Sequence, residues 1–183
     1  MTTVFFDVDT QIDFLYPAGA LYVPGAETIV PSIATLNRFA AVNGFAVIST
    51  MDAHAEDDPE FRSWPPHCVA GTLGQRKPAC TLLERGAQQI FIEKQTFDCF
   101  SNPNLAPLLE RLAPERCVVY GVATDICVKF AAFGLLRRGV RVEMVSDAVR
   151  GVDAAATERT LADFVAAGGH VVPANHVIAP PSF

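Results

Sequence analysis

Along this chain, short and almost continuously apolar runs alternate with longer stretches of helical periodicity, and that alternation restricts the fold more than any other feature. The runs cover residues 4–8, 46–50, 89–93, 117–121, 140–145 and 170–172. A strand with one wet face alternates apolar and polar residues, whereas unbroken apolar runs suit strands covered on both faces. Helical patterns lie between them at 27–41, 82–86, 105–112, 125–138 and 154–167, the first with Ile29, Ile33, Leu36 and Phe39 on one stripe. Gly86, Gly139 and Gly168 stand where left-handed helix C-caps belong. This order predicts an α/β fold: a doubly wound, mostly parallel six-stranded sheet with helices on both faces. At 183 residues, 50% hydrophobic and 19% charged, the chain is expected to form a single domain over 1–183.

The net charge of −6 comes without a basic patch, since the basic cluster Arg137, Arg138 and Arg141 falls at a helix end where cations are normal. Nucleic acid and membrane are therefore not expected partners. The amino-terminal MTTVFFDVDT has no basic leader and no long apolar segment, because Asp7 and Asp9 interrupt it. The five cysteines (Cys68, Cys80, Cys99, Cys117, Cys127) are odd in number and lack CxxC spacing. That argues against a disulfide framework or a four-cysteine zinc site, and for a reducing, cytoplasmic location.

Residues 9–25 and 51–76 fit neither strand nor helix, and long loops in a compact domain usually carry function. In doubly wound sheets ligands bind beyond the carboxyl ends of the strands, near the point where strand order reverses. Asp9 follows the first expected strand, Asp52 and His54 the second, and Lys94 the third; the fourth leads through GVATDICV (121–128) to Cys127 near a helix start.

Two readings of Cys127 stand side by side. A helix N-terminus and Lys94 both favour thiolate, and Asp9 could take the proton; the N–H groups of Cys127 and Ala123 could then bind an oxyanion. Alternatively Asp9 ends a strand, Lys94 is solvated and Cys127 packs against the sheet. In the segment MDAHAEDDPEFRSWPPHC (51–68), Asp52, His54, Glu60 and His67 offer two nitrogens and two oxygens, a set that suits zinc and also iron or manganese. The bland reading of that loop is solvated acidic charge. Phe14 and Trp64 flank the two loops and Phe97 and Phe100 follow Lys94, so a flat apolar ligand could be held there, or the rings could simply pack.

Two rival chemistries leave incomplete traces. His54-Ala55-Glu56 matches half of a zinc deaminase motif, but the chain has no PCxxC to complete it. His170 or His176 could serve as the base of a Cys-His hydrolase, yet both follow the last long helix.

The blocks Asp9-Thr10-Gln11-Ile12-Asp13-Phe14, Asp52-Ala53-His54, Trp64-Pro65-Pro66-His67-Cys68, Lys94 and Gly121-Val122-Ala123-Thr124-Asp125-Ile126-Cys127-Val128 together resemble the isochorismatase-like cysteine hydrolases. The loop is most similar to that of the nicotinamidase-like subgroup. The resemblance implies Cys127 as nucleophile, Asp9 as acid and base, Lys94 as third member, and a cis peptide between Val122 and Ala123 at the oxyanion site. It implies Asp52, His54 and His67 as ligands of a metal that holds the pyridine nitrogen, and Phe14 and Trp64 as ring contacts. Glu60 stands where many nicotinamidases have a third histidine and others a glutamate. Ile12 replaces a commoner asparagine, and residues 95–102 are less typical.

The expected activity is conversion of nicotinamide, or a close aromatic amide, to the acid and ammonia through a thioester, with a divalent metal (zinc first) and the small amide as sole partner beyond a homo-oligomer. The alternatives are a metal-independent relative acting on another small amide or ureide, and a catalytically idle binding module.

Overall fold

The computed structural model describes residues 1–179, so the carboxyl end of the expected 1–183 domain lies outside the described residues. Strands β1 (Thr3–Val8), β2 (Ala46–Asp52), β3 (Gln89–Lys94), β4 (Arg116–Val122), β5 (Arg141–Arg150) and β6 (His170–Val172) form one six-stranded sheet. Their order is β3-β2-β1-β4-β5-β6, and every neighbouring pair is parallel. The α-helices are α1 (Ile12–Leu15), α2 (Val30–Val42), α3 (Leu105–Leu112), α4 (Cys127–Leu136), α5 (Ala154–Ala166) and α6 (Ala174–Ile178). Strand order reverses between β1 and β4, so their carboxyl ends diverge into a crevice.

Each central strand is buried along nearly its whole length, which is why it reads as an unbroken apolar run. On the α2 side, Phe5 packs among Phe39, Phe45 and Tyr120 with ring centroids 5.9–6.3 Å away. Helix α5 opens on Asp153, whose carboxylate accepts the Ala156 N–H at 2.7 Å and supplies the N-cap. Gly139 and Gly168 adopt positive φ just beyond α4 and α5, as their C-cap positions require. Gly121 has φ +120°, and a Cβ there would run into the Val8 carbonyl; only glycine lets β4 lie this close to β1 where Asp9 emerges.

Several boundaries differ from the pattern. Residues 82–86 are not helical: a 3-10 turn covers Ala79–Thr81, Leu82 is extended, and the Leu83 N–H donates to Gln89 Oε1 at 2.8 Å. The pattern at 27–41 divides into a 3-10 turn over Ala26–Ile29 followed by α2. Strand β5 continues past Val145 because Ser146 and Asp147, which ended the apolar run, are exposed while Ala148 and Val149 return to the core. Helix α4 begins at Cys127 itself, so the thiol sits on the first helical residue.

A polar network lies inside the fold at β1. Asp7, fully buried, pairs with Lys77 Nζ at 2.9 Å and accepts from Thr10 Oγ1 (2.6 Å), Asn37 Nδ2 (3.1 Å) and Ser49 Oγ (3.2 Å). These partners supply the hydrogen bonds that a buried carboxylate and ammonium need.

Candidate active site

Four strand ends deliver the polar residues of the crevice. Asp9 follows β1 directly with φ 49°, held by its N–H to the Thr50 carbonyl (3.1 Å) and by Thr50 Oγ1 donating to Asp9 Oδ1 (2.6 Å). Asp52 and Lys94 close β2 and β3 and stand opposite each other in register. Lys94 Nζ lies 2.8 Å from Asp9 Oδ2, 3.8 Å from Cys127 Sγ, and also donates to Asp52 Oδ1. Asp9, Lys94 and Cys127 are all buried, so their charges interact with little screening by water.

Burial and neighbouring charge shift each of these groups in a definite direction. Burial pushes the Cys127 thiol well above its ordinary value; Lys94 opposes that shift, while Asp9 and Asp52 reinforce it. Asp9 is likewise raised by burial and by Asp52 against the pull of Lys94. Lys94 stays protonated, because Asp9, Cys127 and Asp52 outweigh the burial that disfavours its charge. The sequence reading expected a helix start and a lysine to favour thiolate. Lys94 does pull the thiol pKa down, but burial outweighs it, with Asp9 and Asp52 adding to burial.

The peptide bond between Val122 and Ala123 is cis. Among the described residues, the amide N–H groups of Ala123 and Cys127 find no hydrogen-bond acceptor in the protein, and both residues line the same cleft.

Asp52, His54 and His67 form a buried cluster whose ligand atoms all lie within 4.8 Å of one another. Asp52 Oδ2 is 3.7 Å from His54 Nε2 and 3.8 Å from His67 Nε2. Each imidazole is oriented from behind: His54 Nδ1 meets Asp58 Oδ2 at 2.9 Å, and His67 Nδ1 meets the Pro65 carbonyl at 2.8 Å. With Nδ1 donating, both Nε2 atoms face inward, and His54 Nε2 is buried with no hydrogen-bond partner. That is the outer-shell arrangement of metal-binding histidines, and the donor set fits a divalent transition metal. Burial works against a proton on His54, yet Asp52, Asp58 and Glu60 raise its pKa to about 9. The surroundings therefore favour a positive charge at this spot. Glu60 Oε1 approaches His67 Nε2 at 3.9 Å from outside the three-residue cluster.

The cleft above the thiol is walled by Phe14, Trp64 and Phe97, with Trp64 edge-on to Phe97 at 6.4 Å and Phe14 against the His67 ring at 5.4 Å. Phe100 does not reach it: its ring lies under the Arg138 guanidinium at 3.8 Å and against Gly134. The turn over Cys99–Ser101 points it the other way. His170 and His176 are exposed and line no part of the cleft. Leu21, Tyr22 and Val23, Ile126 and Val152 complete the wall. None was singled out in the sequence, although the length of the 9–25 loop marked the first three as a group.

A family model described as Isochorismatase domain matches residues 3–176. The chain belongs to the isochorismatase family. Its isochorismatase-family relatives include the nicotinamidase/pyrazinamidase of Mycobacterium tuberculosis, 29% identical over 90% of this chain and 95% of that protein. Among solved structures, a Pyrococcus horikoshii pyrazinamidase in complex with zinc is 30% identical with TM-score 0.87, covering 94% of this chain and 99% of the other. An L. infantum protein, PnC1, solved in complex with nicotinate, is 30% identical with TM-score 0.82, covering 95% and 93%. In sequence and in fold this isochorismatase-family chain is nicotinamidase-like. No helix among its described residues is long and apolar enough to cross a membrane.

Proposed function

We propose that this protein is an amidase that converts nicotinamide, or a close uncharged aromatic amide, to the carboxylic acid and ammonia through a thioester on Cys127. The observation that carries the reading is the meeting of Asp9, Lys94 and Cys127 at one point, beneath an aromatic-walled cleft that Asp52 and His67 of the Asp52, His54, His67 cluster also line. As the sulfur attacks the amide carbon, the thiol proton passes to Asp9, and Lys94 holds both partners in place. The N–H groups of Ala123 and Cys127 receive the developing oxyanion. Asp9 then gives the proton to the departing nitrogen, which leaves as ammonia. A water, deprotonated by Asp9, adds to the thioester, and the proton returns to the sulfur as the acid departs. A divalent metal, zinc first, held by Asp52, His54 and His67 with Glu60 beside it, would supply a Lewis acid that grips a ring nitrogen. Phe14, Trp64 and Phe97 would cover the faces of the ring.

Ammonia release from nicotinamide tests the reading, with wild type, with Cys127→Ala, and with chelator-treated protein before and after zinc is restored. Turnover that survives Cys127→Ala would sink the thioester; turnover indifferent to chelation would remove the metal.

A further inference from the structure

The short stretch that supplies Asp9 also contains two polar side chains that neither face the cleft nor cap their own helix. Gln11 occupies the N-cap position of α1 yet makes no cap hydrogen bond. Its amide instead grips the main chain of Asp52: Gln11 Oε1 accepts the Asp52 N–H at 2.7 Å, and Nε2 donates to the Asp52 carbonyl at 2.8 Å. The same Nε2 also donates to the Gln75 carbonyl at 2.8 Å, and the side chain is fully buried. Gln11 thus stands in for one residue of a neighbouring strand, continuing the sheet past the end of β1.

Two residues further on, Asp13 Oδ2 accepts the N–H of Cys68 at 2.7 Å, the residue directly after His67. Cys68 has φ 44°, a left-handed conformation that a non-glycine residue keeps only when its surroundings enforce it. The Cys68 carbonyl in turn accepts the His54 N–H at 3.1 Å, so the grip extends to the other imidazole arm. The second Asp13 oxygen accepts the Ala20 N–H at 3.0 Å, on the loop that carries Leu21 to Val23 into the cleft wall. Gly74 leaves the carboxylate just enough room, since a Cβ there would run into it.

We infer that Gln11 and Asp13 are positioning residues that set the two arms of the Asp52, His54, His67 cluster against the catalytic strand ends, so that one turn after β1 fixes both chemistry and ligand recognition. The inference rests on the metal reading above. Metal ligands tolerate displacements of only a few tenths of an ångström, and these three stand where β2 ends at Asp52 and an irregular loop takes over. The two arms of that loop are joined by the His54 N–H to the Cys68 carbonyl and the Ala70 N–H to the His54 carbonyl, but are tied to the turn after β1 by Gln11 and Asp13.

The test uses the whole chain, stripped of metal, as wild type, Gln11→Met and Asp13→Asn. Asp13→Asn keeps size and one acceptor, and loses the ability to receive two N–H groups at once. Zinc affinity is measured by competition with a chromophoric chelator, and the alkylation rate of Cys127 is followed in the same metal-free samples. The expected result is a loss of about tenfold or more in zinc affinity for each variant, with Cys127 alkylation within about twofold of wild type. Unchanged zinc affinity in a folded variant overturns the inference, and so does a parallel change in alkylation, which marks general loosening of the fold. If Gln11→Met does not fold, Asp13→Asn decides alone. A wild type that binds no divalent metal fells both this inference and the metal reading, whereas tight wild-type binding with unaffected variants fells this inference only.

Discussion

Lys94 Nζ lies 2.8 Å from Asp9 Oδ2, with both side chains shut away from solvent. The ammonium also touches Asp52, so a single cation serves two buried carboxylates. Removing it strands both. Lys94→Met is expected to lose about 3–5 kcal/mol in denaturant unfolding and to release no ammonia from nicotinamide. A variant as stable as wild type would show that the carboxylates find compensation elsewhere.

Replacing Asp9 is expected to act in opposite directions on thiol ionisation and on turnover. Its charge and hydrogen bond help to raise the Cys127 pKa, while Lys94 lowers it. Asp9→Asn is therefore expected to lower the thiol pKa and speed iodoacetamide alkylation of Cys127 at neutral pH. Ammonia release should nevertheless fall by about 10²–10⁴-fold, because the proton carrier is gone. Mass-spectrometric mapping of the alkylated cysteine, set beside the activity assay, checks both halves.

Phe97 and Phe100 are close in sequence but face different surroundings. Phe97 borders the cleft, whereas Phe100 lies beneath Arg138. Phe97→Ala should raise KM for an aromatic amide by about tenfold, the value of a lost ring contact. Phe100→Ala should leave KM close to wild type and lower Tm instead. Equal KM effects in steady-state assays would contradict this assignment.

Acid stability has a separate source at the far end of the sheet. Glu143 is buried, which opposes its charge, but Arg116 Nε at 3.0 Å and Arg141 at 2.9 Å outweigh that and lower its pKa below 4.5. A lowered pKa contributes stability that is complete above the unfolded-state value and is lost as pH falls through the folded one. Glu143→Gln should therefore cost about 1–3 kcal/mol at pH 7, and the gap to wild type should close as pH drops below about 4 in urea titrations.

Sheet and crossovers were legible because strands buried on both faces leave unbroken apolar runs, and the residues just past those runs had to gather at one edge. Asp9, Lys94, Cys127, Asp52 and His54 were gathered that way; His67 came from its spacing within the 51–68 loop, and the parts these residues play came from the family resemblance. The helix expected at 82–86 failed because five residues cannot carry a helical period, and the Gln89 side chain captured the Leu83 N–H instead. Phe100 was misjudged because spacing does not say which way a 3-10 turn aims its rings. The roles of Gln11 and Asp13 were hidden for another reason: both act on main-chain groups dozens of residues away, and main-chain hydrogen bonds leave no pattern in a sequence.

Asp52 spends one carboxylate oxygen on Lys94 and turns the other toward the histidines. On the proposed function, the apparatus for breaking a bond and the apparatus for choosing a ring would thus share one side chain. A descendant of this chain could exchange that whole loop and acquire a new clientele, provided it kept this one aspartate. On that function, the point at which such an enzyme could diversify would be bounded by a single residue at the end of β2.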